Sequence, residues 1–290
     1  MTDKTMSDKN YKCVKVEKID GIAWLTLNRP SKRNAMNPQM HEEMDDALFE
    51  LEDDPDCKVV ILKGAGGNFS AGQDLKEFFR ENEGKPRSFR KAREEANRWR
   101  WERLYNYEKP TICMIEGYCV GGAFMQLLAT DFVIAAEDAT FSLSEVNWGI
   151  LPGALVSKVV ADAVLYRHAL WYACLGEPFD GVEAARVGFI NLAVPHAKLV
   201  EETEKLAHKL MAKSPRVLRA TKQAIRHVRT MDFGQAYDYL AEKGKAIKVG
   251  DQEKSYETGL SQFLDKKAYK PVHAPFKLGT LLTDETKGKK

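Results

Sequence analysis

The sequence has almost no excess of one charge, because its 44 lysines and arginines nearly match its 42 aspartates and glutamates. The resulting formal charge of +2 gives no general reason to expect nucleic acid or an anionic membrane as a partner. No run approaches the roughly 20 apolar residues of a membrane span. The first residues, MTDKTMSDKNYK, lack the apolar core of a signal peptide. We therefore expect a cytoplasmic protein that binds neither nucleic acid nor membrane.

Patterns for metal binding and for disulfides are missing as well. The five cysteines are scattered and never spaced as CxxC, so neither a zinc site nor a disulfide framework is indicated. The six histidines show no HxxxH or HExxH spacing and fit surface or helix positions. The sequence therefore predicts buried, reduced thiols and no metal ion.

Apolar residues make up 44% of the 290 residues, which is enough for a sizeable core. Short apolar runs (IAWLTL, KVVILKG, TICMIEG and DFVIAAE) alternate with helical patterns up to about residue 195. This alternation predicts an α/β fold with crossover connections, and several helical segments then follow one another. The predicted parts of the chain are a polar tail (1–10), an α/β core (11–196), a helical region (197–268) and a second tail (269–290).

One charged run, RKAREEANRWRWERLYNYEK, mixes arginines with tryptophans and tyrosines. Such a mixture can bind nucleic acid. Acidic residues are interspersed, however, and Trp101, Leu104 and Tyr105 share one helical face. The run therefore favours a solvated helix with one packed face.

Two glycine-rich stretches each follow a strand and precede a helix, GAGGNFSAG (64–72) and GYCVGGAF (117–124). In the first, Phe69 replaces the third glycine of a dinucleotide fingerprint, and Asn68 replaces the first glycine of a hydrolase elbow. Glycines that merely serve turns would explain either stretch alone. Two such stretches in one α/β body favour a pocket whose backbone N–H groups bind an oxyanion.

Glu145 lies in the largely apolar stretch SLSEVNWGI (142–150). A carboxylate in such surroundings is costly unless it is paired, solvated or used in chemistry. Burial without a cationic neighbour would raise its pKa and suit it to proton transfer. A salt bridge to a residue distant in sequence is the alternative, and the residues alone leave both open.

Several segments in this order resemble the enoyl-CoA hydratase/isomerase, or crotonase, superfamily: NRPSKRNAM (28–36), FSAGQDLKEF (69–78), EGYCVGGAF (116–124) and DFVIAAEDATFSLSEVNWGILPG (131–153). Within it, SEVNWGI, WRWERL and FLDKKAYKP look most like the hydroxycinnamoyl-CoA hydratase-lyases. Those enzymes hydrate a side-chain double bond and then cleave it to an aromatic aldehyde and acetyl-CoA. The resemblance implies a ββα spiral core with two roughly perpendicular sheets. It also implies a helical C-terminal region that makes trimers, usually paired as hexamers.

The resemblance also implies a site for an acyl-CoA thioester, with coenzyme A as part of the substrate and no separate cofactor. The backbone N–H groups of Gln73 and Gly122 would hold the thioester oxygen, and Glu145 would be the acid–base group. The other implied substrate contacts are Arg29, Lys32 and Arg33 near the CoA phosphates, Ser70, Ala71 and Asp74 near the adenine, and Phe78, Met125, Trp148, Gly149, Tyr237 and Tyr239.

Three positions depart from these relatives. Met125 stands where simple hydratases carry a second glutamate and the hydroxycinnamoyl enzymes a small hydroxylated residue. Phe78 and Ala241 stand where the hydroxycinnamoyl enzymes place tyrosines near the phenol end, the second from a neighbouring subunit; Tyr237 and Tyr239 lie just before Ala241. Despite these departures, the resemblance as a whole favours hydration and cleavage of a feruloyl- or coumaroyl-CoA-like substrate. Hydration or isomerisation of another enoyl-CoA without cleavage stays open, as does a non-catalytic CoA- or RNA-binding role.

Overall fold

The computed structural model describes residues 9–251 and 254–268. The chain forms two compact units, one through Lys205 and one from Leu206. This division falls inside a helix, whereas the sequence analysis placed a boundary between residues 196 and 197. The tail predicted over 269–290, and residues 1–8 of the tail predicted over 1–10, lie outside the described residues.

The strands of the first unit are β1 (Val14–Ile19), β2 (Ile22–Leu27), β3 (Val59–Gly64), β4 (Thr111–Ile115), β5 (Tyr118–Val120), β6 (Phe132–Ala136), β7 (Thr140–Ser142) and β8 (Leu192–Val194). Six of them form one sheet in the order β1-β2-β3-β4-β6-β8. β1 and β2 pair antiparallel, and every later pairing is parallel. Every residue of β2 and of β4 is buried, as expected for strands covered on both faces. The predicted α/β class is confirmed.

β5 and β7 pair in parallel as a separate two-stranded sheet. Ser70, in the first glycine-rich stretch, forms a parallel bridge to Cys119 of β5. The amide of Ser70 donates to Tyr118 O, and the amide of Val120 donates back to Ser70 O. Because β5 lies within the second glycine-rich stretch, this bridge places the two stretches side by side.

The helices of the first unit are α1 (Pro38–Asp53), α2 (Pro86–Asn97), α3 (Phe124–Ala129), α4 (Val156–Ala163), α5 (Tyr166–Leu175) and α6 (Gly181–Val187). The side chain of Asn37 caps α1 by accepting a hydrogen bond from the amide of Met40, and Pro38 takes the first helical position. The apolar stripe of α1 packs into the core through Met40, Met44, Leu48 and Leu51.

The helix of the charged run differs from the prediction in which face it buries. α2 continues into a π-helical turn over Arg98–Leu104, which buries Trp99, Arg100 and Leu104. Trp101, predicted to pack, is 40% exposed and stacks on Tyr105. The reason is the turn itself, because i→i+5 hydrogen bonding rotates side chains away from the positions that a 3.6-residue period assigns them.

The second unit is helical, as predicted. The last helices are α7 (Leu199–Met211), which spans the division between the units, α8 (Pro215–Val228), α9 (Phe233–Val249) and α10 (Ser255–Leu260), which continues as a π-helical turn over Ser261–Asp265. Asp232 and Gln235 form a reciprocal capping box at the start of α9.

Four of the five cysteines are buried free thiols, as predicted. Cys174 is the exception and is exposed. It lies on α5 away from the buried stripe formed by Ala169 and Tyr172.

Candidate active site

A cavity of about 400 Å³ lies within the first unit. Its walls are the two glycine-rich stretches, the segment from Ser144 to Val156, and side chains of the helical segments between Leu75 and Arg100. Among the described residues that line it, Glu145 is the only carboxylate. The predicted acid–base residue and the predicted oxyanion donors therefore share one cavity.

The two glycine-rich stretches touch through backbone at Gly72. Its φ of +86° is a left-handed conformation, and a Cβ there would lie 2.6 Å from Val120 O and 3.2 Å from the amide nitrogen of Gly122. A Cβ on Gly122 would in turn lie 3.5 Å from the amide nitrogen of Gln73. Only glycine at residue 72 permits this close approach of the two stretches.

The amides of Gln73 and Gly122 are the free donors of this junction. Neither amide donates a hydrogen bond within residues 9–251 and 254–268. The neighbouring amides of Gly72 and Asp74 are used, donating to Ser70 Oγ and to Met36 O. Unpaired N–H groups beside a cavity can bind an oxygen that gains negative charge.

Glu145 faces these donors from a short 3-10 helix, Ser144–Trp148. A Cβ on Gly121, the neighbour of Gly122, would lie 3.2 Å from Glu145 Oε1. Glu145 Oε2 is buried and has no hydrogen-bond partner within the described part of the chain. Burial raises the pKa of Glu145 above its ordinary value, and no cation lowers it again. The salt bridge considered from the sequence is not found among the described residues.

A profile of the enoyl-CoA hydratase/isomerase family matches residues 17–271. The chain belongs to the enoyl-CoA hydratase/isomerase family.

Two relatives and one solved structure are similar to this chain. A hydroxycinnamoyl-CoA hydratase-lyase from Pseudomonas fluorescens is 48% identical over 262 residues, which cover 90% of this chain and 95% of that protein. A carnitinyl-CoA dehydratase from Escherichia coli K12 is 33% identical over 224 residues, which cover 76% of this chain and 82% of that protein. An enoyl-CoA hydratase structure from Mycobacterium smegmatis superposes with a TM-score of 0.81 at 23% identity, and the match covers 88% and 97% of the two chains. The predicted crotonase-like fold is confirmed.

In this family member, a buried hydrogen-bond chain leads to Gln73. Trp99 Nε1 donates to His41 Nδ1 over 2.8 Å, and His41 Nε2 lies 2.9 Å from Gln73 Oε1. An indole N–H can only donate, so Nδ1 accepts and the proton of the ring sits on Nε2. Burial and, after it, the charge of Arg100 hold the pKa of His41 well below its usual range, so the ring is neutral.

His41 was assigned from the sequence to a surface or helix position, and the surface half of that assignment is wrong. His41 lies on α1 but is completely buried. The signal was available, because residues 41, 44, 48 and 51 follow helical spacing and the other three are apolar. His41 and Trp99 thus fix the side chain of Gln73, whose amide borders the cavity.

Replacing Trp99 by phenylalanine should leave His41 Nδ1 buried without a donor. An unsatisfied buried polar atom costs about 1–3 kcal/mol. We expect the free energy of unfolding to fall by about that amount and kcat to fall with it, because the ring can then turn or change tautomer beneath Gln73. Urea unfolding and steady-state kinetics measure the two effects. Trp101→Phe, at an exposed site, is the control and should change stability by no more than about 0.5 kcal/mol; equal effects of the two changes would contradict the role of Trp99.

Arg29, implied as a phosphate contact, is already engaged inside the protein. Its guanidinium donates to Ala35 O (2.6 Å), Asp74 Oδ2 (3.0 Å) and Glu77 Oε1 (2.6 Å). Burial alone would raise the pKa of Asp74, but the Glu77 amide and Arg29 outweigh it, and this pKa is lowered from its ordinary value. The pairing does not favour a phosphate contact for Arg29. Lys32 and Arg33 are exposed and keep their charges available.

Arg29→Met should therefore lower the free energy of unfolding, whereas Arg33→Met should weaken substrate binding. Removing one partner of a buried ion pair costs about 3–5 kcal/mol. Arg33 is exposed, with its guanidinium 5.0 Å from the centre of the Tyr118 ring. Its replacement should raise KM for an acyl-CoA while unfolding stays within about 0.5 kcal/mol of wild type.

Acid should erase the stability difference caused by Arg29→Met. The pKa of Asp74 is lowered in the folded protein, so its contribution is present above the unfolded pKa and is lost as pH falls through the folded pKa. Denaturant unfolding of the wild type and of Arg29→Met, at neutral and at acidic pH, measures this stability difference. A difference that persists at low pH would show that packing, rather than the ion pair, explains the effect.

The remaining implied adenine contacts lie in a stretch whose polar groups are mostly used. Ser70 Oγ donates to Asn34 O and accepts from the amide of Gly72. The amide of Ala71 donates to Arg33 O. The carbonyl of Ala71 accepts no hydrogen bond from any described residue, and Ala71 borders the cavity. A backbone contact to adenine from this stretch stays a prediction, with the Ala71 carbonyl as the free acceptor.

Of the residues implied to contact the acyl group, some line the cavity and others do not. Phe78 and Trp148 line the cavity, Phe78 buried and Trp148 66% exposed. Gly149 ends the 3-10 helix with a φ of +70° and Met125 is buried on α3; neither lines the cavity. Tyr237, Tyr239 and Ala241 lie on α9 in the second unit, where Tyr239 Oη lies 3.0 Å from His227 Nδ1. A role for them from a neighbouring subunit stays a prediction.

Over residues 9–251 and 254–268, no helix combines the length and the apolar character needed to cross a bilayer. In the same part of the chain, no group of three or more histidines, cysteines, aspartates or glutamates is arranged to hold a metal ion. The sequence analysis missed Arg93, Asn97 and Arg100, which line the cavity. Their spacing from Phe89 along α2 and its continuation was the signal that could have found them.

Proposed function

We propose that this chain hydrates a hydroxycinnamoyl-CoA, such as feruloyl- or coumaroyl-CoA, and cleaves the product to an aromatic aldehyde and acetyl-CoA. It is then a lyase of the enoyl-CoA hydratase/isomerase family. The observation that carries the proposal is the placement in one cavity of Glu145, whose Oε2 has no hydrogen-bond partner among the described residues, and of two unpaired amides, those of Gln73 and Gly122. The 48% identity to a hydroxycinnamoyl-CoA hydratase-lyase supports the substrate class.

The first step is the addition of water. Ionised Glu145 takes a proton from a water molecule, whose oxygen attacks the β-carbon of the enoyl thioester. The electron pair moves to the thioester oxygen, which the amides of Gln73 and Gly122 stabilise as an enolate. Each such donor contributes about 2.7–4 kcal/mol. Protonated Glu145 then returns the proton to the α-carbon, which completes a β-hydroxyacyl-CoA.

The second step is cleavage of the bond between the α- and β-carbons. Glu145, ionised again, removes the proton of the β-hydroxyl as that oxygen becomes the aldehyde carbonyl. The bonding electrons pass into the enolate of acetyl-CoA, and the same two amides hold its oxygen. Protonation of the enolate carbon by Glu145 releases acetyl-CoA. One carboxylate thus serves both steps, in agreement with a cavity wall that carries no second acid among the described residues.

Hydration or isomerisation of another enoyl-CoA without cleavage is the second candidate. Phe78, at the cavity wall, has no hydroxyl to meet a phenol. A pocket that leaves a polar substrate group unmatched selects against that substrate. This observation favours an acyl group without a phenol unless another residue supplies the missing contact.

Incubation with a panel of acyl-CoA thioesters, read by mass spectrometry, tests both candidates. Feruloyl-CoA should yield vanillin and acetyl-CoA, and Glu145→Gln should yield neither. Gain of one water, or a shifted double bond with no fragment, on another enoyl-CoA would favour the second candidate. No aldehyde from any cinnamoyl-CoA would refute the first. No turnover of any thioester would point to a non-catalytic binding protein.

We further propose a cytoplasmic homotrimer or a pair of trimers. The second unit exposes large apolar side chains, as subunit interfaces do, among them Phe233 (97% exposed), Tyr237 (75%) and Val249 (90%). Light scattering on the purified protein measures the assembly, and a monomer would contradict the proposal.

A further inference from the structure

Arg100 is a buried cation at the wall of the cavity. It lies in the π-helical turn that continues α2, and only 2% of its surface is exposed. Its Nε donates to Ala96 O over 2.7 Å. Within residues 9–251 and 254–268, no carboxylate lies within 4.0 Å of its guanidinium, and neither Nη group has a hydrogen-bond partner. Both Nη groups are therefore left available.

Arg29 shows what a structural arginine looks like in this same protein. It is also largely buried, and it satisfies three acceptors, two of them carboxylates. Arg100 satisfies one carbonyl. A buried charge without a counter-ion lowers the stability of the folded protein. An uncharged side chain of similar size would fill the same space without that cost.

Glu145 does not serve as the counter-ion of Arg100. The two residues form no ion pair, and burial raises the pKa of Glu145 with no lowering contribution from Arg100. Burial lowers the pKa of Arg100 to about 10, so the guanidinium remains charged at neutral pH. Besides Glu145, the one other charged residue among the described lining residues is Arg93, and the buried His41, whose pKa the charge of Arg100 helps to lower, is neutral. None of them neutralises Arg100.

Aromatic side chains line the same cavity as this charge. The rings of Phe79 and Phe89 lie 5.1 Å and 5.9 Å from that of Phe78, both edge to face. Asn97, half-buried and one turn before Arg100, also lines the wall. An aromatic ring that carries an anionic oxygen would match these residues, because the ring packs on phenylalanines and the guanidinium binds the oxygen through two N–H groups.

We propose that Arg100 binds an anionic oxygen on the acyl group of the substrate. Together with the proposed function, on which this step rests, the oxygen is the ring hydroxyl of a hydroxycinnamoyl-CoA, held as the phenolate. Arg100 then supplies the polar contact that Phe78 lacks. It is a specificity-determining residue, since it contacts the substrate away from the reacting carbons.

Binding to protein that cannot turn over tests the proposal separately from the proposed function. In a Glu145→Gln background, 4-hydroxycinnamoyl-CoA and cinnamoyl-CoA are titrated, and the ultraviolet–visible spectrum of the bound ligand is recorded across pH. A hydroxycinnamoyl thioester absorbs at longer wavelength as phenolate than as phenol. We expect the phenolate band at a lower pH on the protein than in water. Adding Arg100→Gln should remove this band and weaken binding of 4-hydroxycinnamoyl-CoA at least about 10-fold relative to cinnamoyl-CoA.

Arg98→Gln is the matched control, since Arg98 lies in the same turn but is exposed and lines no part of the cavity. It should leave the band and the affinity ratio unchanged. Arg100→Lys keeps the positive charge and should retain part of the phenolate band. This variant provides the test if Arg100→Gln does not fold.

Three outcomes would overturn the proposal or part of it. A band and an affinity ratio that are unchanged in Arg100→Gln would overturn it outright. Dependence on Arg100 without the shifted band would show that a neutral hydroxyl binds, which contradicts the phenolate. Tighter, Arg100-dependent binding of an enoyl-CoA that ends in a carboxylate would keep the anion site and overturn its assignment to a ring hydroxyl. An Arg100-dependent band in a protein whose wild type yields no aldehyde would sustain this inference while the proposed function failed.

Discussion

Glu145→Gln is expected to lower kcat for aldehyde release from feruloyl-CoA by about 10²- to 10⁴-fold, the range that a positioned acid–base group supplies. Glutamine keeps the size and the hydrogen-bonding capacity of the side chain but cannot accept a proton from water or return one. Stopped assays with detection of the aldehyde and of acetyl-CoA measure the loss. Wild-type kcat in this variant would remove Glu145 from the mechanism.

The same substitution should remove the acid limb of the pH–rate profile. Glu145 must be ionised to activate water, so log(kcat/KM) rises with unit slope as pH increases toward its pKa. Burial raises that pKa above the ordinary value of 4.5, and the limb should therefore lie at higher pH than for an exposed glutamate. A limb that persists unchanged in Glu145→Gln would belong to another group.

Unfolding measurements separate lost chemistry from a lost fold. A raised pKa means that the folded state binds the proton of Glu145 more tightly than the unfolded chain does. Stability therefore falls as pH rises from the unfolded pKa to the folded one, and the ionised carboxylate remains a cost at neutral pH. Glutamine removes this cost, so the inactive variant should be at least as stable as wild type at pH 7.

Gly72→Ala is expected to lower kcat by about 10²- to 10³-fold, the cost of losing one oxyanion donor. The new Cβ would lie 2.6 Å from Val120 O and 3.2 Å from the amide nitrogen of Gly122. The backbone of the two stretches must separate to admit it, which displaces the amide of Gly122 from that of Gln73. Steady-state kinetics measures this, with circular dichroism to establish that the fold is retained.

Gly84→Ala controls for backbone strain. Gly84 has a φ of +71°, close to that of Gly72, but a Cβ there would meet nothing within 4 Å. Both changes place alanine in the left-handed region, at a cost of about 1–2 kcal/mol. Gly84→Ala should therefore lose stability and keep its kcat. If the two variants lost kcat equally, strain rather than separation of the two stretches would be the cause.

Local sequence signals were sufficient for most of the fold. The cap at Asn37, the proline after it and the apolar stripe from Met40 to Leu51 specify α1, because all three act within a few turns of helix. The turn at Arg98–Leu104 was not predicted. A π-helical turn leaves no periodic pattern of its own, so the helical face assigned to Trp101 belonged instead to Trp99.

The candidate site was predicted in its backbone and in its carboxylate but not in its surroundings. Glycines that follow strands and a glutamate in apolar company can be read from neighbouring residues, and the resemblance to the family then pointed to Gln73, Gly122 and Glu145. The chain from Trp99 through His41 to Gln73 joins residues 58 and 32 positions apart. No local pattern records such a contact.

The sequence by itself determined the order of strands and helices, the two glycine-rich stretches and the family. Only the tertiary structure decided which charges are paired. Arg29 and Arg100 both lie in polar, highly charged segments, so their sequence surroundings do not distinguish them. Folding brings Asp74, 45 residues away, onto Arg29 and brings no carboxylate from the described residues onto Arg100. The physical reason is that the electrostatic state of a side chain depends on its neighbours in space and on its distance from water, and the fold sets both.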